Sequence, residues 1–398
     1  MELIERDFRC PYSLRDSEKP LSISKYKNTT NRSSFMPIFT EIRDRIVQPK
    51  IILIRLLYLC YIKKEYSMEK VEKVVWGIIG AGNVCERKSA PAMYKTPFSE
   101  VKTVMRRNAE KAADFAKRHR IGQWTTNIED LLNDPEINAI YIATPPDSHA
   151  ELTLKAAKAG KAVYVEKPMA NNTEECEAMI QACLEANVPL FVAYYRRTLP
   201  GFLKVKELIE NGTIGKIRAV NIEMYKPISE WDLNNADTNW RVDPEIAGGG
   251  YFHDLASHEL DFLDFLFGKI TQAQGISTNQ AGLYKSDDIV TATFRFENGV
   301  VGSGLWCFTA DKSSEKDSIR IIGSLGELSF NCFGDPMTIQ LKSSVNGNQE
   351  FNYLHEQPIQ QYLVQTIVNE LRGLGTSPST GISGARATAG MDEITKCK

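Results

Sequence analysis

Short, nearly unbroken apolar runs recur from residue 74 to residue 193, each followed by a longer amphipathic stretch. Val74-Val75-Trp76-Gly77-Ile78-Ile79 is the first and ends in Gly80-Ala81-Gly82-Asn83, the pattern of a buried parallel strand turning into a helix. Val101–Met105, Ala139–Ala143, Ala162–Val165 and Leu190–Ala193 read as further strands, with helices expected over Ala109–His119, Ser148–Ala159 and Thr173–Ala186. Such alternation predicts a parallel sheet covered by helices on both faces, with ligands bound at the carboxyl ends of its strands.

Beyond residue 194 the pattern changes to alternation of period two. Val220–Tyr225, Ile289–Phe296, Val300–Phe308, Ser318–Ile322 and Thr338–Leu341 read as strands, and Glu297-Asn298-Gly299 signals a hairpin between two of them. An antiparallel sheet is expected here. Its apolar positions need a covering layer or a partner subunit, so a homo-oligomer built through this sheet is expected as well. A last helix is expected from near Ala385.

The first 67 residues follow neither pattern. They carry 13 Lys/Arg and 8 Asp/Glu, a local net of +5, which leaves the remainder at −7. Ile51–Ile62 is apolar apart from Arg55, too short for the roughly 20 residues a bilayer span needs. Met68 opens a new segment directly before the first strand, so residues 1–67 are expected to form a poorly ordered extension. Residues 68–193 then form a nucleotide-binding domain and 194–398 a substrate-binding and oligomerisation domain. No membrane partner is expected.

Composition narrows the function classes. Lys plus Arg (48) nearly balances Asp plus Glu (50), so the broad basic face that nucleic acid requires is not expected. The eight cysteines contain no CxxC pair, which argues against a disulfide framework or a structural zinc site and for reduced thiols in the cytoplasm.

Candidate chemistry gathers where loops follow strands. Gly80 and Gly82 allow close approach of a pyrophosphate, with Asn83 and Val84 opening the helix, although Cys85 replaces the third glycine of the usual fingerprint. Arg106 and Arg107 stand at the end of the second strand, where an acidic residue usually binds the NAD ribose. Two guanidiniums suit the 2′-phosphate of NADP instead, so NADP is expected over NAD. Thr144-Pro145-Pro146, with His149 following, is an extended turn able to lie along a nucleotide. Glu166-Lys167-Pro168 aims an acid and an amine into the same crevice.

A third motif, Gly248-Gly249-Gly250 through Asp261, places Asp254, His258 and Asp261 on one helical face at i, i+4 and i+7. A carboxylate beside an imidazole fixes its tautomer and raises its basicity. His253 and His119 read as structural residues. With no His-x-x-x-His pair and no cysteine nearby, no metal is expected. Tyr194, Tyr195, Arg196, Trp240, Arg241 and Tyr251 lie in segments expected to line the crevice. Aromatic faces suit polyols, and the two arginines suit either the cofactor or an acidic group on a substrate.

Taken in order, Gly80-Ala81-Gly82-Asn83, Thr144-Pro145-Pro146 with His149, Glu166-Lys167-Pro168, Arg196-Arg197, Trp240-Arg241 and Gly248-Gly249-Gly250 through Asp254 and His258 resemble the Gfo/Idh/MocA family. The resemblance runs from about residue 73 to the end. It implies an α/β fold: an N-terminal Rossmann dinucleotide-binding domain and a C-terminal α/β domain with a large, mostly antiparallel open sheet. It implies Lys167, Asp254 and His258 as catalytic residues. Gly80, Gly82, Asn83, Val84, Thr144, Pro145, Pro146, His149, Glu166, Arg196, Trp240 and Arg241 are candidate cofactor contacts, with Tyr195, Tyr251 and the catalytic three facing substrate. The expected reaction is hydride transfer between nicotinamide and a sugar, cyclitol or related polyol. A cofactor-retaining glycoside-cleaving enzyme and a non-catalytic NAD(P)-binding regulator are the alternatives.

Overall fold

The apolar runs of the first half become six strands because both their faces are covered. They are β1 (Val74–Ile79), β2 (Ser99–Met105), β3 (Gln123–Thr125), β4 (Ala139–Ile142), β5 (Ala162–Val165) and β6 (Leu190–Val192). The computed structural model describes residues 69–235 and 239–396; the expected 1–67 extension lies outside the described residues. All neighbours in this sheet are parallel, in the order β3-β2-β1-β4-β5-β6. The chain winds one way from β1 and the other way from β4, and this switch point opens a crevice above the strands' carboxyl ends. Helices α1 (Ala90–Lys95), α2 (Ala109–His119), α3 (His149–Lys158) and α4 (Thr173–Ala186) complete the crossovers. Asn108 and Asn172 cap α2 and α4 by accepting from Lys111 N and Glu175 N.

The second half forms an eight-stranded sheet from β7 (Ile217–Tyr225), β8 (Ile270–Thr278), β9 (Ile289–Phe296), β10 (Val301–Cys307), β11 (Lys316–Gly323), β12 (Gly326–Phe330), β13 (Met337–Ser343) and β14 (Gly347–Tyr353). Its order is β14-β13-β12-β11-β7-β10-β9-β8, antiparallel except where β7 pairs with β10. The period-two pattern sends Val290, Ala292, Phe294 and Phe296 inward and Thr291, Thr293 and Arg295 outward. The inner face is covered from within the chain. Helices α5 (Pro200–Glu210) and α6 (Ser257–Phe267) pack on it through Phe202, Phe262, Phe330 and the Phe267–Phe296 pair. The covering layer expected for its apolar positions is therefore the protein's own.

Two helices close the chain, α7 (Gln361–Leu371) and α8 (Gly381–Thr395). The expectation near Ala385 is corrected to Gly381: Thr380 caps the helix in a reciprocal box with Ser383, and two glycines in the first turn hide that start in the sequence. Helix α8 packs against both α4 and β8, so it ties the two sheets together. Among the described residues no helix is long and apolar enough to cross a membrane.

One buried acid joins α6 to the second sheet. Glu259 is fully buried and accepts from the Trp306 indole N–H at 2.6 Å. Burial pushes its carboxyl up to about 8. The folded protein then keeps this proton up to about pH 8, whereas the unfolded chain releases it near its ordinary value of 4.5. Its contribution is therefore complete below pH 4.5 and lost as pH rises through 8. In that window stability should fall by about 1.4 kcal/mol per pH unit through this group alone. Urea unfolding at pH 5.5 and 7.5 is expected to show a smaller drop in E259Q, which keeps the hydrogen bond and cannot ionise; equal drops would refute the assignment.

Candidate active site

The switch point brings three strand-end loops together. After β1 the chain turns at Gly80 with φ +84°, where a Cβ would come within 2.6 Å of Thr144 Cγ2 and 2.9 Å of Thr144 N; no other residue fits. At Gly82 a Cβ would meet nothing nearer than Gly80 O at 3.7 Å, so bare backbone faces open space. Cys85, at the third glycine position, is fully buried and begins a π turn, Cys85–Ser89, leading into α1. After β2 come Arg106, Arg107 and Asn108; after β4 come Thr144, Pro145 and Pro146, with Ser148 Oγ donating to Thr144 Oγ1 at 2.7 Å.

The loop after β5 is held from below. Buried Glu166 accepts from Tyr141 Oη at 2.6 Å and Gln360 Nε2 at 2.7 Å. Lys167 Nζ donates to Asp254 O at 2.8 Å and to the Asp254 carboxylate. Arg241 Nε lies 3.7 Å from the other carboxylate oxygen. Burial works against the Asp254 anion, but Lys167, with Arg241 and Lys88 behind it, outweighs burial and holds the carboxyl below its usual range.

His258, buried in α6, has aromatic neighbours in Tyr195 (5.3 Å between centroids), Tyr194 (5.8 Å) and Phe333 (6.0 Å). Burial first, then the charges of Arg196, Lys167 and Lys88, push its imidazole well below its ordinary value. It is neutral at pH 7, and its Nδ1 has no hydrogen-bond partner.

A single cavity of about 1100 Å³ joins these parts. Gly80, Gly82, Asn83, Val84, Arg106, Arg107, Thr144, Pro145, Pro146, Glu166, Lys167, Tyr195, Arg196, Trp240, Arg241, Asp254 and His258 all line it. Four expected side chains are placed otherwise than the sequence suggests. His149 does not line the cavity; its buried ring lies between the carbonyls of Thr144 (2.9 Å) and Pro168 (3.1 Å) and ties two loops together. Tyr251 is also outside the lining, its hydroxyl spent on Asp232 at 2.7 Å. Asp261 does not reach the cavity that Asp254 and His258 line. A π turn, Phe252–Ala256, changes the phase between Asp254 and His258; Asp261 lies three positions past His258 in regular helix, where Arg197 takes both its carboxylate oxygens. Nor does Asp254 orient the imidazole, since it is committed to Lys167.

The cavity also includes residues that motif reading missed. Lys88 follows Val84 by four positions, one helical turn on, and that spacing was the available signal. Gln360 and Phe333 come from irregular segments that carry no motif.

Residues 74–194 match the family profile described as "Oxidoreductase family, NAD-binding Rossmann fold", and residues 202–329 match the "GFO/IDH/MocA C-terminal domain". The chain belongs to the Gfo/Idh/MocA oxidoreductases. One relative within this family, Oxidoreductase P35 of Formosa agariphila, is 38% identical over 320 residues, covering 80% of this chain and 98% of that protein. Levoglucosan dehydrogenase of Pseudarthrobacter phenanthrenivorans is 29% identical over 286 residues, 64% of this chain and 73% of that one. A solved levoglucosan dehydrogenase in complex with NADH and levoglucosan superposes with a TM-score of 0.70 at 25% identity, covering 81% of this chain and 96% of its own. The Gfo/Idh/MocA architecture, a Rossmann sheet followed by a mostly antiparallel sheet, is thus common to both.

Proposed function

We propose that this Gfo/Idh/MocA protein is an NAD(P)-dependent dehydrogenase or reductase that moves a hydride between nicotinamide and a carbinol carbon of a sugar or related polyol. The observation that carries this reading is one cavity with a bare glycine backbone on one wall and Lys167, Asp254 and His258 on another. The open space at Gly82 and the extended Thr144–Pro146 turn fit a dinucleotide, with Asn83, Val84, Glu166, Trp240 and Arg241 alongside. When bound there, the cofactor supplies hydride acceptance and donation.

The chain's own residues handle the hydroxyl. Lys167, held in place by Asp254, donates to the substrate oxygen and stabilises the negative charge that develops on it. Neutral His258 takes the hydroxyl proton during oxidation and returns it during reduction. Tyr195 and Phe333 present apolar faces to the sugar and exclude water from the imidazole. A screen of sugars, cyclitols and ketoses with NAD and NADP, following reduced-nicotinamide absorbance, tests the reading. Turnover is expected with at least one polyol, and dinucleotide binding without any turnover would refute it.

NADP is the cofactor we favour. The carboxylates lining the cavity are Asp147, Glu166 and Asp254, none of them at the end of β2, where Arg106 and Arg107 stand beside Lys111. Arg106→Asp is expected to lower the NADP-to-NAD ratio of kcat/KM by about ten- to a hundredfold, the loss of one charge-assisted contact. An unchanged ratio would refute the preference.

In this reading residues 68–193 bind nucleotide and residues 194–398 bind substrate and pair with a second copy through the outer face of the large sheet. The five cysteines among the described residues are free thiols, which suits the cytoplasm.

A further inference from the structure

We infer that the sugar taken by this cleft carries a carboxylate, held by Arg196 and Lys88; the inference rests on the hydride-transfer reading above and names its substrate class. Two of the cations around His258 have no ion-pair partner. Of the cations lining that end of the cavity, Lys167 is paired with Asp254, and Arg241 leans towards the same carboxylate while its guanidinium covers the Trp240 ring at 4.5 Å. Glu166 accepts from the neutral groups of Tyr141 and Gln360 and forms no ion pair with Arg196 or Lys88. Among the described residues, Arg196 and Lys88 line the same space without an ion pair.

Arg196 is the more telling of the two. It is 5% exposed, its guanidinium stacks on Phe333 at 4.4 Å and Tyr195 at 5.2 Å, and its Nε donates to Cys332 O at 3.0 Å. Nη1 has no partner. Asp317 supports the guanidinium by its charge, but its two oxygens accept from Cys332 N and Phe333 N at 2.9 and 2.6 Å and make no ion pair with Arg196. Glu259, with its proton retained, adds no neutralising charge at pH 7. A buried guanidinium that no carboxylate contacts is costly unless an anion completes it.

The phosphates of a dinucleotide are not that anion. They are provided for at the glycine loop and at Arg106 and Arg107, whereas Arg196 packs with Tyr195, Phe333 and His258 at the other end. A planar fork plus one ammonium matches a single, planar charge; a tetrahedral dianion would need more donors than this enclosed corner offers. Such a carboxylate would also offset the cations that hold the imidazole neutral, making His258 a better base for the substrate's own hydroxyl.

The test uses the full-length protein. Initial rates with NAD and NADP are measured on hexuronates and aldonates, their neutral parent sugars, hexose 6-phosphates and sulfated sugars. Binding of glucuronate to the protein loaded with reduced cofactor is measured calorimetrically alongside. The expected result is a kcat/KM for an acidic sugar about ten- to a hundredfold above its neutral parent. Arg196→Gln and the exposed Lys88→Met should each collapse that ratio, with dinucleotide affinity in Lys88→Met staying that of the unaltered protein. Equal or better turnover of neutral sugars overturns the inference and leaves the dehydrogenase reading standing, as does a preference for phosphate or sulfate esters. Weakened dinucleotide binding in Lys88→Met also overturns it. Glucuronate binding that depends on Arg196 and Lys88, without turnover of any sugar, supports the anion site and refutes the dehydrogenase reading; neither binding nor turnover overturns both.

Discussion

Lys167→Met is expected to lower kcat on a turned-over sugar by about 10²- to 10⁴-fold, the range for a positioned proton-handling or charge-stabilising group, with the dinucleotide still bound. The Lys167 side chain is 15% exposed, and its ammonium is pinned twice by Asp254, once through the carbonyl and once through the carboxylate. It therefore needs no reorganisation to meet a developing alkoxide, which is why its removal should act on kcat more than on KM. The substitution also leaves the Asp254 carboxylate with Arg241 at 3.7 Å as its nearest cation. His258→Asn should produce a loss of similar size, with a flattened pH dependence because the neutral base is gone. Dinucleotide titration and rate measurement on both variants decide the matter. Near-normal turnover in the pair would end the assignment, and lost cofactor binding in Lys167→Met would place the amine in cofactor retention.

The parallel sheet was legible because its strands are short and buried on both faces, so each reads as an unbroken apolar run such as Ala162–Val165. The second sheet was legible only where one face is buried. Ile289–Phe296 alternates cleanly, whereas β8 carries Gln272, Gln274 and Gly275, and β14 is an edge strand with Asn348, Gln349 and Glu350 largely exposed. Polar edge strands pair through backbone alone, and nothing in their side chains announces it. Strands β3 (Gln123–Thr125) and β12 (Gly326–Phe330) escaped because neither is an unbroken apolar run.

At the site, glycine and proline motifs marked where the chain bends, because those residues are demanded by backbone geometry. The role of each side chain was less legible. Helical spacing grouped Asp261 with Asp254 and His258, but Arg197 claims its carboxylate and it does not reach the cavity. His149 follows the Thr-Pro-Pro loop like a ligand contact yet serves as a clamp between carbonyls. Arg196 and Arg197 are adjacent in sequence and opposite in fate: one reaches the cavity, the other is committed to the carboxylates beneath it. A short 3₁₀ turn, Tyr195–Thr198, produces that divergence.

Arg197→Met is expected to destabilise the protein by about 3–5 kcal/mol, the cost of leaving buried carboxylates uncompensated. Arg197 and Asp261 are 3% and 0% exposed, joined through Nε at 2.9 Å and Nη2 at 2.8 Å, and Nη2 also donates to Asp264 at 3.0 Å. Arg386 from α8 binds Asp264 at 2.7 Å, so one network fastens the turn after β6, α6 and the last helix. With Arg197 removed, Arg386 still serves Asp264 directly, but Asp261 faces an apolar surrounding. The double variant Arg197→Met with Asp261→Leu should recover most of the loss, because two apolar groups of similar size need no counter-ion. Urea denaturation of the single and double variants measures this. Single and double variants equally unstable would mean the pair acts through packing, and a single variant as stable as the parent would mean water reaches Asp261. Activity supplies an independent readout: the turn carries Tyr195 and Arg196 and α6 carries His258, so in the surviving folded protein kcat/KM should fall as their relative positions loosen.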